Sequence, residues 1–274
     1  MRIPASAVRS GTVAVLVVAV AGLAIFFGGR ALLHRASAPS ADSGCAFGNF
    51  SLGTEQTAVA STMVGVVLRR DLPERAAVLV LAAGLQESHL RNLASGEGDR
   101  DSVGVLQQRP SQGWGTVAQL GDVQYATGKF LDALVKINGW QIGDLADTIQ
   151  AIQISADGRL YAVHEPEAQA LADALTGATP AGVSCAFPAP TTVASPQAAA
   201  AAVAKDLPVR PPTVTGQTVA VPGAAWATAA WFVSNGDRLG IERVSYSGKT
   251  WARGKGWSDD QQASATEVVA TLRH

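Results

Sequence analysis

The sequence predicts a mainly α-helical protein with an N-terminal transmembrane helix and a small C-terminal α+β domain. Three observations lead to this prediction. An uncharged apolar run stands near the start of the chain, apolar residues recur at helical spacing through its middle, and shorter segments with turn residues follow near its end. The 274 residues suffice for one sizeable core and a smaller unit, and 47% hydrophobic against 16% charged residues excludes general disorder.

The apolar run is TVAVLVVAVAGLAIFF, residues 12–27, and it carries no charge. We predict a membrane anchor over residues 12–33, because this length approaches the minimum that spans a bilayer, and a cytoplasmic N-terminus over residues 1–11. A cleaved signal peptide is the alternative, but basic residues from Arg30 onward separate the run from the nearest small-residue cleavage pattern. The positive-inside rule then places the bulk of a single-pass protein outside the cytoplasm, at the cell membrane.

The only two cysteines, Cys45 and Cys185, are expected to form a disulfide, because this orientation puts them in an oxidising compartment. Closing so long a loop would stabilise the fold by roughly 4 to 5 kcal/mol. Two buried free thiols are the alternative. A polar tether is predicted over residues 34–44, ahead of a first domain over residues 45–186.

The first domain is predicted to be mostly helical. Apolar spacing predicts one helix in TEQTAVASTMVGVVLRR, with Thr54 as its N-cap, and a second in DLPERAAVLVLAAGLQESHL, with Asp71 and Glu74 as a capping box. Further helical patterns are VQYATGKFLDALVKI, LADTIQAIQI and EPEAQALADALTG, the last of which stops at Gly177.

Prolines punctuate residues 187–215, which predicts a linker, although its alanine run at 198–202 is equally compatible with a helix. Residues 216–274 are predicted to form a small α+β accessory domain, with a helix in AAWATAAWFVSNGDRLG and a hairpin that turns at Ser247-Gly248. Its tryptophans either bind a ligand or build the core of a small domain. They are Trp226, Trp231, Trp251 and Trp257.

Glu87 stands in the otherwise apolar stretch LAAGLQESHL. On a helix it shares a face with Ala83 and Leu90, at i−4 and i+3, so the carboxylate points toward apolar surface. Burial would raise its pKa, and a general acid needs such a pKa to hold its proton near neutral pH. The alternative is an ordinary ion pair with Arg91 at i+4, worth only a few tenths of a kcal/mol.

A polar, glycine-punctuated segment, DRDSVGVLQQRPSQGWG, follows at residues 99–115. It has little apolar periodicity, and connections of this kind often carry function. The amides of Gln107 and Gln108 suit hydroxyl and acetamido groups, and Trp114 offers a flat face for a sugar ring, with core packing as its alternative.

Gln86-Glu87-Ser88, followed by Ser102-x-Gly104-x-x-Gln107-Gln108, resembles the Glu-Ser and Gly-Leu-Met-Gln signature of soluble lytic transglycosylases and goose-type lysozymes. GDRDSVGVLQQRPSQGWG is similar to lysozyme-like, membrane-tethered proteins of actinobacteria. The resemblance covers roughly residues 45–186 and implies a lysozyme-like domain with Glu87 as the catalytic acid. The family's later tyrosine motif corresponds here only to AIQISA, residues 151–156, with Gln153 and Tyr161 as stand-ins. The candidate substrate-binding residues, from the loop and the resemblance together, are Ser88, Ser102, Gly104, Gln107, Gln108, Trp114, Tyr125 and Gln153.

The resemblance implies cleavage of the bond between N-acetylmuramic acid and N-acetylglucosamine in peptidoglycan, which requires protonation of the leaving oxygen. A lysozyme with two acidic groups would use Asp99 or Asp101 to activate water. A lytic transglycosylase can use Glu87 alone and let the muramyl 6-hydroxyl attack. Both aspartates have an alternative interpretation, because they flank Arg100 and can simply order a turn. The sequence leaves hydrolysis and the anhydro route open.

Other functions are less compatible with the sequence. The four histidines show no metal-ligand spacing, so we expect neither a metal nor a cofactor, and no Gly-x-Ser-x-Gly nucleophile elbow is present. A net charge of −1 without single-sign blocks gives no reason to expect nucleic acid. The expected partners are glycan strands and the membrane. A non-catalytic peptidoglycan-binding or scaffold protein is the alternative function.

Overall fold

The computed structural model describes residues 43–154, 158–189, 193–223 and 225–273. The predicted cytoplasmic segment, the anchor and almost all of the tether lie outside these residues. Within the described part of the chain, no helix is both long enough and apolar enough to cross a membrane.

Nine α-helices and two 3-10 helices are described. The α-helices are α1 (Thr54–Arg69), α2 (Glu74–Ser88), α3 (Val117–Leu120), α4 (Val123–Leu134), α5 (Leu145–Gln153), α6 (Glu165–Thr176), α7 (Pro196–Asp206), α8 (Trp226–Ser234) and α9 (Gly236–Leu239). The 3-10 helices are Pro110–Gln112 and Gly158–His164. The strands are β1 (Gly44–Phe47), β2 (Phe50–Leu52), β3 (Ser184–Ala186), β4 (Thr213–Thr215), β5 (Thr218–Pro222), β6 (Ile241–Tyr246), β7 (Lys249–Ala252), β8 (Gly256–Asp259) and β9 (Glu267–Leu272).

The prediction of a mainly α fold is wrong. Of the described residues 46% are helical and 18% are extended, and the strands form two antiparallel sheets, so the protein is mixed α/β. The small sheet, in the order β2-β1-β3, was not predicted, because its strands have only three or four residues. Segments this short carry too few alternations for a period-2 pattern to be recognised.

The predicted disulfide is confirmed. Cys45 in β1 lies directly opposite Cys185 in β3, with 3.9 Å between their Cα atoms and a bond between their sulfur atoms. Both residues are buried, and Phe47 at the end of β1 is buried beside them. The two ends of the predicted first domain are therefore joined both by strand pairing and covalently.

The centre of the helical part is α2. Its residues Ala76 to Leu85 are all buried, and α6, α1, α4 and α5 pack around it. A helix that is apolar on every side lies inside the protein, and the other helices surround this one. Glu87 is the second-last residue of this helix.

The predicted helices of the first domain are confirmed, but two of their start signals are not. Gly53, not Thr54, is the N-cap of α1. The expected capping box of α2 does not form, since Pro73 is its N-cap and Asp71 lies outside the helix at φ 52°. Gly177 ends α6 in the left-handed conformation, as predicted.

The C-terminal sheet has six antiparallel strands in the order β4-β5-β9-β6-β7-β8. The predicted hairpin turn at Ser247-Gly248 joins β6 to β7, and both turn residues have positive φ. Helix α8 packs against β6 and β9 and also against α1 and α6 of the helical part. Trp231 and Trp251 are fully buried core residues, whereas the other two tryptophans of this region are half-buried.

The segment predicted as a linker contains α7 and β4, so the alanine run is helical. The last residue of α7, Asp206, is only 6% exposed. Its carboxylate accepts hydrogen bonds from Gln124 Nε2 at 2.6 Å and Trp231 Nε1 at 2.9 Å. These bonds join the helices α4, α7 and α8 through one buried carboxylate.

Candidate active site

Glu87 lies half-buried in the last turn of α2. The Tyr161 hydroxyl donates a hydrogen bond to its Oε1 at 2.6 Å, and the side chain of Gln153 donates a second. Burial raises the pKa of Glu87 and outweighs these two hydrogen bonds, which lower it. Arg91, the predicted alternative partner, donates instead to the backbone oxygen of Ser88.

The second 3-10 helix, the end of α5 and the polar loop come together at this carboxylate. Tyr161 comes from the second 3-10 helix, and its side chain is fully buried against α2. Gln153 is the last residue of α5, and its Nε2 also donates to the Leu106 oxygen at 2.9 Å. The carboxylate of Glu87 is thus surrounded by the ends of two helices and the polar loop.

Helix α2 ends immediately after the site. His89 and Leu90 follow at φ 54° and 59°, and the amide of Leu90 donates to the Gly84 oxygen at 3.0 Å. This bond reaches one residue further back than the 6→1 bond of a Schellman motif, because two successive left-handed residues, neither of them glycine, end the helix. Leu90 is fully buried, so its burial offsets the cost of the backbone conformation.

Ser88, a predicted substrate contact, is buried. Its hydroxyl lies 2.7 Å from the Val105 oxygen and 3.2 Å from the Gly84 oxygen. The structure therefore places Ser88 as a connection between α2 and the polar loop, directly beneath Glu87, and not at a free surface.

The polar loop is held by its backbone. Gly104 lies at φ 79°, its amide donates to the Leu93 oxygen at 2.8 Å, and a Cβ here would meet the Leu120 oxygen at 2.2 Å. Gln107, at φ 47°, is half-buried and donates from Nε2 to the Gly104 oxygen at 2.9 Å. Only glycine fits at position 104, which agrees with the motif but gives it a structural reason.

Two other candidates of this loop point into the protein. Gln108 is 2% exposed and donates from Nε2 to the Ala126 oxygen at 3.3 Å, while its Oε1 has no hydrogen-bond partner among the described residues. Ser102 is 7% exposed, and its amide donates to the Asp99 oxygen. Both residues stabilise the loop from inside.

Trp114 and Tyr125 form a contact of their own at the start of α4. The Tyr125 hydroxyl donates to the Trp114 oxygen at 3.4 Å, and its ring lies against Gly115. Trp114 is half-buried at the edge of the core. The structure brings these two candidates together, separately from Tyr161 and Gln153.

Asp101 and Asp99, the two candidates for a second catalytic carboxylate, make their contacts within the polar loop. Asp101 accepts hydrogen bonds from Ser111 N at 2.8 Å and Arg109 Nε at 2.6 Å, and these bonds hold its pKa far below the usual range. The Asp99 side chain is 82% exposed and lies 3.8 Å from Arg100 Nε. Their contacts are those of residues that order a turn.

His164 is a site residue that the sequence did not indicate. Its Nε2 lies 3.0 Å from Gln86 Oε1, beside Glu87. Burial lowers the pKa of His164, and the nearby charge of His89 lowers it further. Its position three residues after Tyr161 could have indicated it, because residues i and i+3 of a 3-10 helix lie on the same side.

Strained backbone is concentrated around this site. Five of the eight described non-glycine residues with positive φ lie in the segments that surround Glu87, which are the end of α2, the loop and the end of α5. Each costs of order 1 kcal/mol and is typical of functional sites. The five are His89, Leu90, Arg100, Gln107 and Ile154.

Among the described residues no group of three or more His, Cys, Asp or Glu side chains could hold a metal ion. The sequence matches no model of a known protein family and none of the curated proteins with which it was compared. The chemistry of Glu87 and its neighbours is therefore the basis for a function.

Proposed function

We propose that the protein cleaves the glycan strands of peptidoglycan, with Glu87 as the general acid, and that its N-terminal apolar segment holds it at the outer face of the cell membrane. The observation that carries this proposal is the setting of Glu87. Its pKa is raised by burial, and Tyr161 and Gln153 fix its orientation. A carboxyl group whose pKa is raised holds its proton to higher pH and can give it to the leaving oxygen of a glycosidic bond.

The occupied aspartates favour the route with one carboxylate. Asp101 is committed to Arg109 and Ser111, and Asp99 is largely exposed, so neither is prepared to activate water beside Glu87. In the one-carboxylate route, Glu87 protonates the leaving oxygen as the bond to the muramyl C1 breaks. The muramyl 6-hydroxyl then bonds to C1 and returns its proton to the Glu87 carboxylate. The product is an anhydromuramyl end, and the acid is regenerated.

The test is digestion of purified peptidoglycan by the full chain and by its Glu87→Gln variant, with mass analysis of the released fragments. We expect anhydro products, lighter by one water than hydrolysis products, from the parent protein and none from Glu87→Gln. Glu55→Gln is the matched control, because Glu55 is an exposed carboxylate in the first turn of α1.

Each other outcome has a defined meaning. Equal product from the parent and Glu87→Gln would eliminate Glu87 as the acid. Hydrolysis products in place of anhydro ends would show that water attacks, and the one-carboxylate route would be wrong. Binding of sacculi without any product from either protein would favour the non-catalytic function.

A further inference from the structure

The two segments that reach Glu87 carry exposed apolar side chains. Ile154 directly follows Gln153 and is 81% exposed, and Leu160 and Val163 in the second 3-10 helix are 49% and 71% exposed. We call these three residues the apolar rim. Scattered exposed aliphatic side chains are ordinary, as at Ile142, and these three are distinguished by lying on the two segments that bond to Glu87.

The second 3-10 helix has one side that faces Glu87 and another that carries the exposed residues of the rim. With three residues per turn, Tyr161 and His164 form one row, and Leu160 and Val163 form the next. The first row contacts Glu87 and Gln86 through its polar atoms. The second row is exposed, so a single short element presents polar groups to the carboxylate and apolar groups to the surroundings.

Ile154 also has an unfavourable backbone. Its φ is 51°, a conformation that is rare for a β-branched residue and that Gly or Asn adopts more readily. Leu90, at φ 59°, is fully buried, and Ser247, at φ 46°, belongs to a tight hairpin turn with Gly248. Ile154 ends α5 in this conformation, and its amide donates to the Gln150 oxygen at 2.9 Å. Glycine would serve this capping position with less strain, and the exposed isoleucine side chain gains no burial in return.

We propose that the apolar rim is a specificity-determining contact for the acetamido methyl groups and apolar ring faces of an N-acetylated glycan bound at Glu87. This inference rests on the proposed function. An N-acetylated sugar ring presents methyl and C–H surface between its polar groups. The rim matches this alternation, because its three aliphatic residues are interleaved with Gln153, Tyr161 and His164. A lipid surface would instead favour a continuous apolar face, whereas polar side chains interrupt the rim.

The test is binding to purified sacculi by co-sedimentation, with the full chain carrying Glu87→Gln so that no cleavage interferes. We expect Ile154→Gly to raise the melting temperature by about 2 to 4 °C, because strain is relieved, and to weaken binding about tenfold, because aliphatic contact is lost. Ile154→Ala should weaken binding similarly, and Ile154→Val should retain most of it.

Two controls separate contact from strain. Ser247→Gly, which relieves the same backbone strain in the β6–β7 turn, should raise the melting temperature and leave binding unchanged. On sacculi that have been chemically de-N-acetylated, the difference between Ile154→Gly and its parent should shrink.

Equal binding by the parent, Ile154→Gly and Ile154→Ala would overturn the assignment of the rim and leave the proposed function intact. A chain with Glu87 intact that neither binds nor degrades sacculi would remove the proposed function, and the assignment with it.

Discussion

Tyr161→Phe tests the hydrogen bond that the Tyr161 hydroxyl donates to Glu87. The variant removes only the hydroxyl that lies 2.6 Å from Glu87 Oε1, and the ring, 1% exposed, keeps its packing. A hydrogen bond to a charged group contributes about 1.5 to 3 kcal/mol, and the half-buried position of Glu87 favours the lower end of that range. A loss of about 1.4 kcal/mol changes a protonation equilibrium roughly tenfold.

The direction in which the pKa of Glu87 changes depends on which form of the carboxyl group the hydrogen bond stabilises. Tyr161 stabilises the ionised carboxylate, so its loss raises the pKa of Glu87 further. A general acid must be protonated, and kcat/KM therefore falls as pH rises through the pKa of Glu87. We expect the alkaline limb of the profile in Tyr161→Phe to lie at higher pH, with its midpoint at a roughly tenfold lower proton concentration.

The assay is the pH dependence of kcat/KM for solubilised peptidoglycan. Tyr125→Phe is the matched control, because its hydroxyl donates at 3.4 Å to the Trp114 carbonyl oxygen, which does not titrate. An alkaline limb in Tyr161→Phe that stays in place or moves to lower pH, in a protein of unchanged stability, would refute the reasoning.

Three further predictions concern stability. Because folding raises the pKa of Glu87 above its usual value of 4.5, ionisation weakens the folded state as pH rises past that value. Glu87→Gln should therefore melt higher than the parent at neutral pH and lose this advantage below pH 4.5 in thermal unfolding scans. Gly104→Ala should lower the free energy of unfolding by about 2 to 4 kcal/mol in urea titrations, because a Cβ meets the Leu120 oxygen at positive φ. Unfolding at the parent's midpoint would contradict this. Replacing Cys45 and Cys185 by serine should cost about 5 kcal/mol, since the disulfide spans 140 residues. An unchanged urea midpoint would show that the bond constrains little.

The helices of the fold were predictable because their signals are local. Apolar spacing identified α1 and α2 to within a few residues, whereas α7 stayed open between helix and linker, because its alanine run has little amphipathicity. The small sheet was not predictable, because the whole helical part separates β1 from its partner β3 in the sequence. Pairing at that separation depends on tertiary structure, which no short window of sequence contains.

For the site, helical periodicity put Glu87 on an apolar face, where the structure half-buries it, but left an ion pair with Arg91 open. Tyr161 and Gln153 entered only through the resemblance, and the structure brings both to the carboxylate. The sequence did not show in which direction each side chain points. Ser88 and Gln108 have the composition of ligand contacts, but their polar atoms bond to backbone inside the protein, as backbone groups of a buried loop require.

The disulfide between neighbouring strands also decides how mechanical load passes through the protein. The chain enters at β1 and leaves β3 toward Phe187, whose ring packs edge-on against Trp251 of the C-terminal sheet at 5.9 Å. A pull on the chain ahead of Cys45, resisted at that sheet, runs through the sulfur–sulfur bond to Cys185. Glu87 and the helical part lie between the two cysteines, which are 140 positions apart in sequence, and are therefore outside this covalent path.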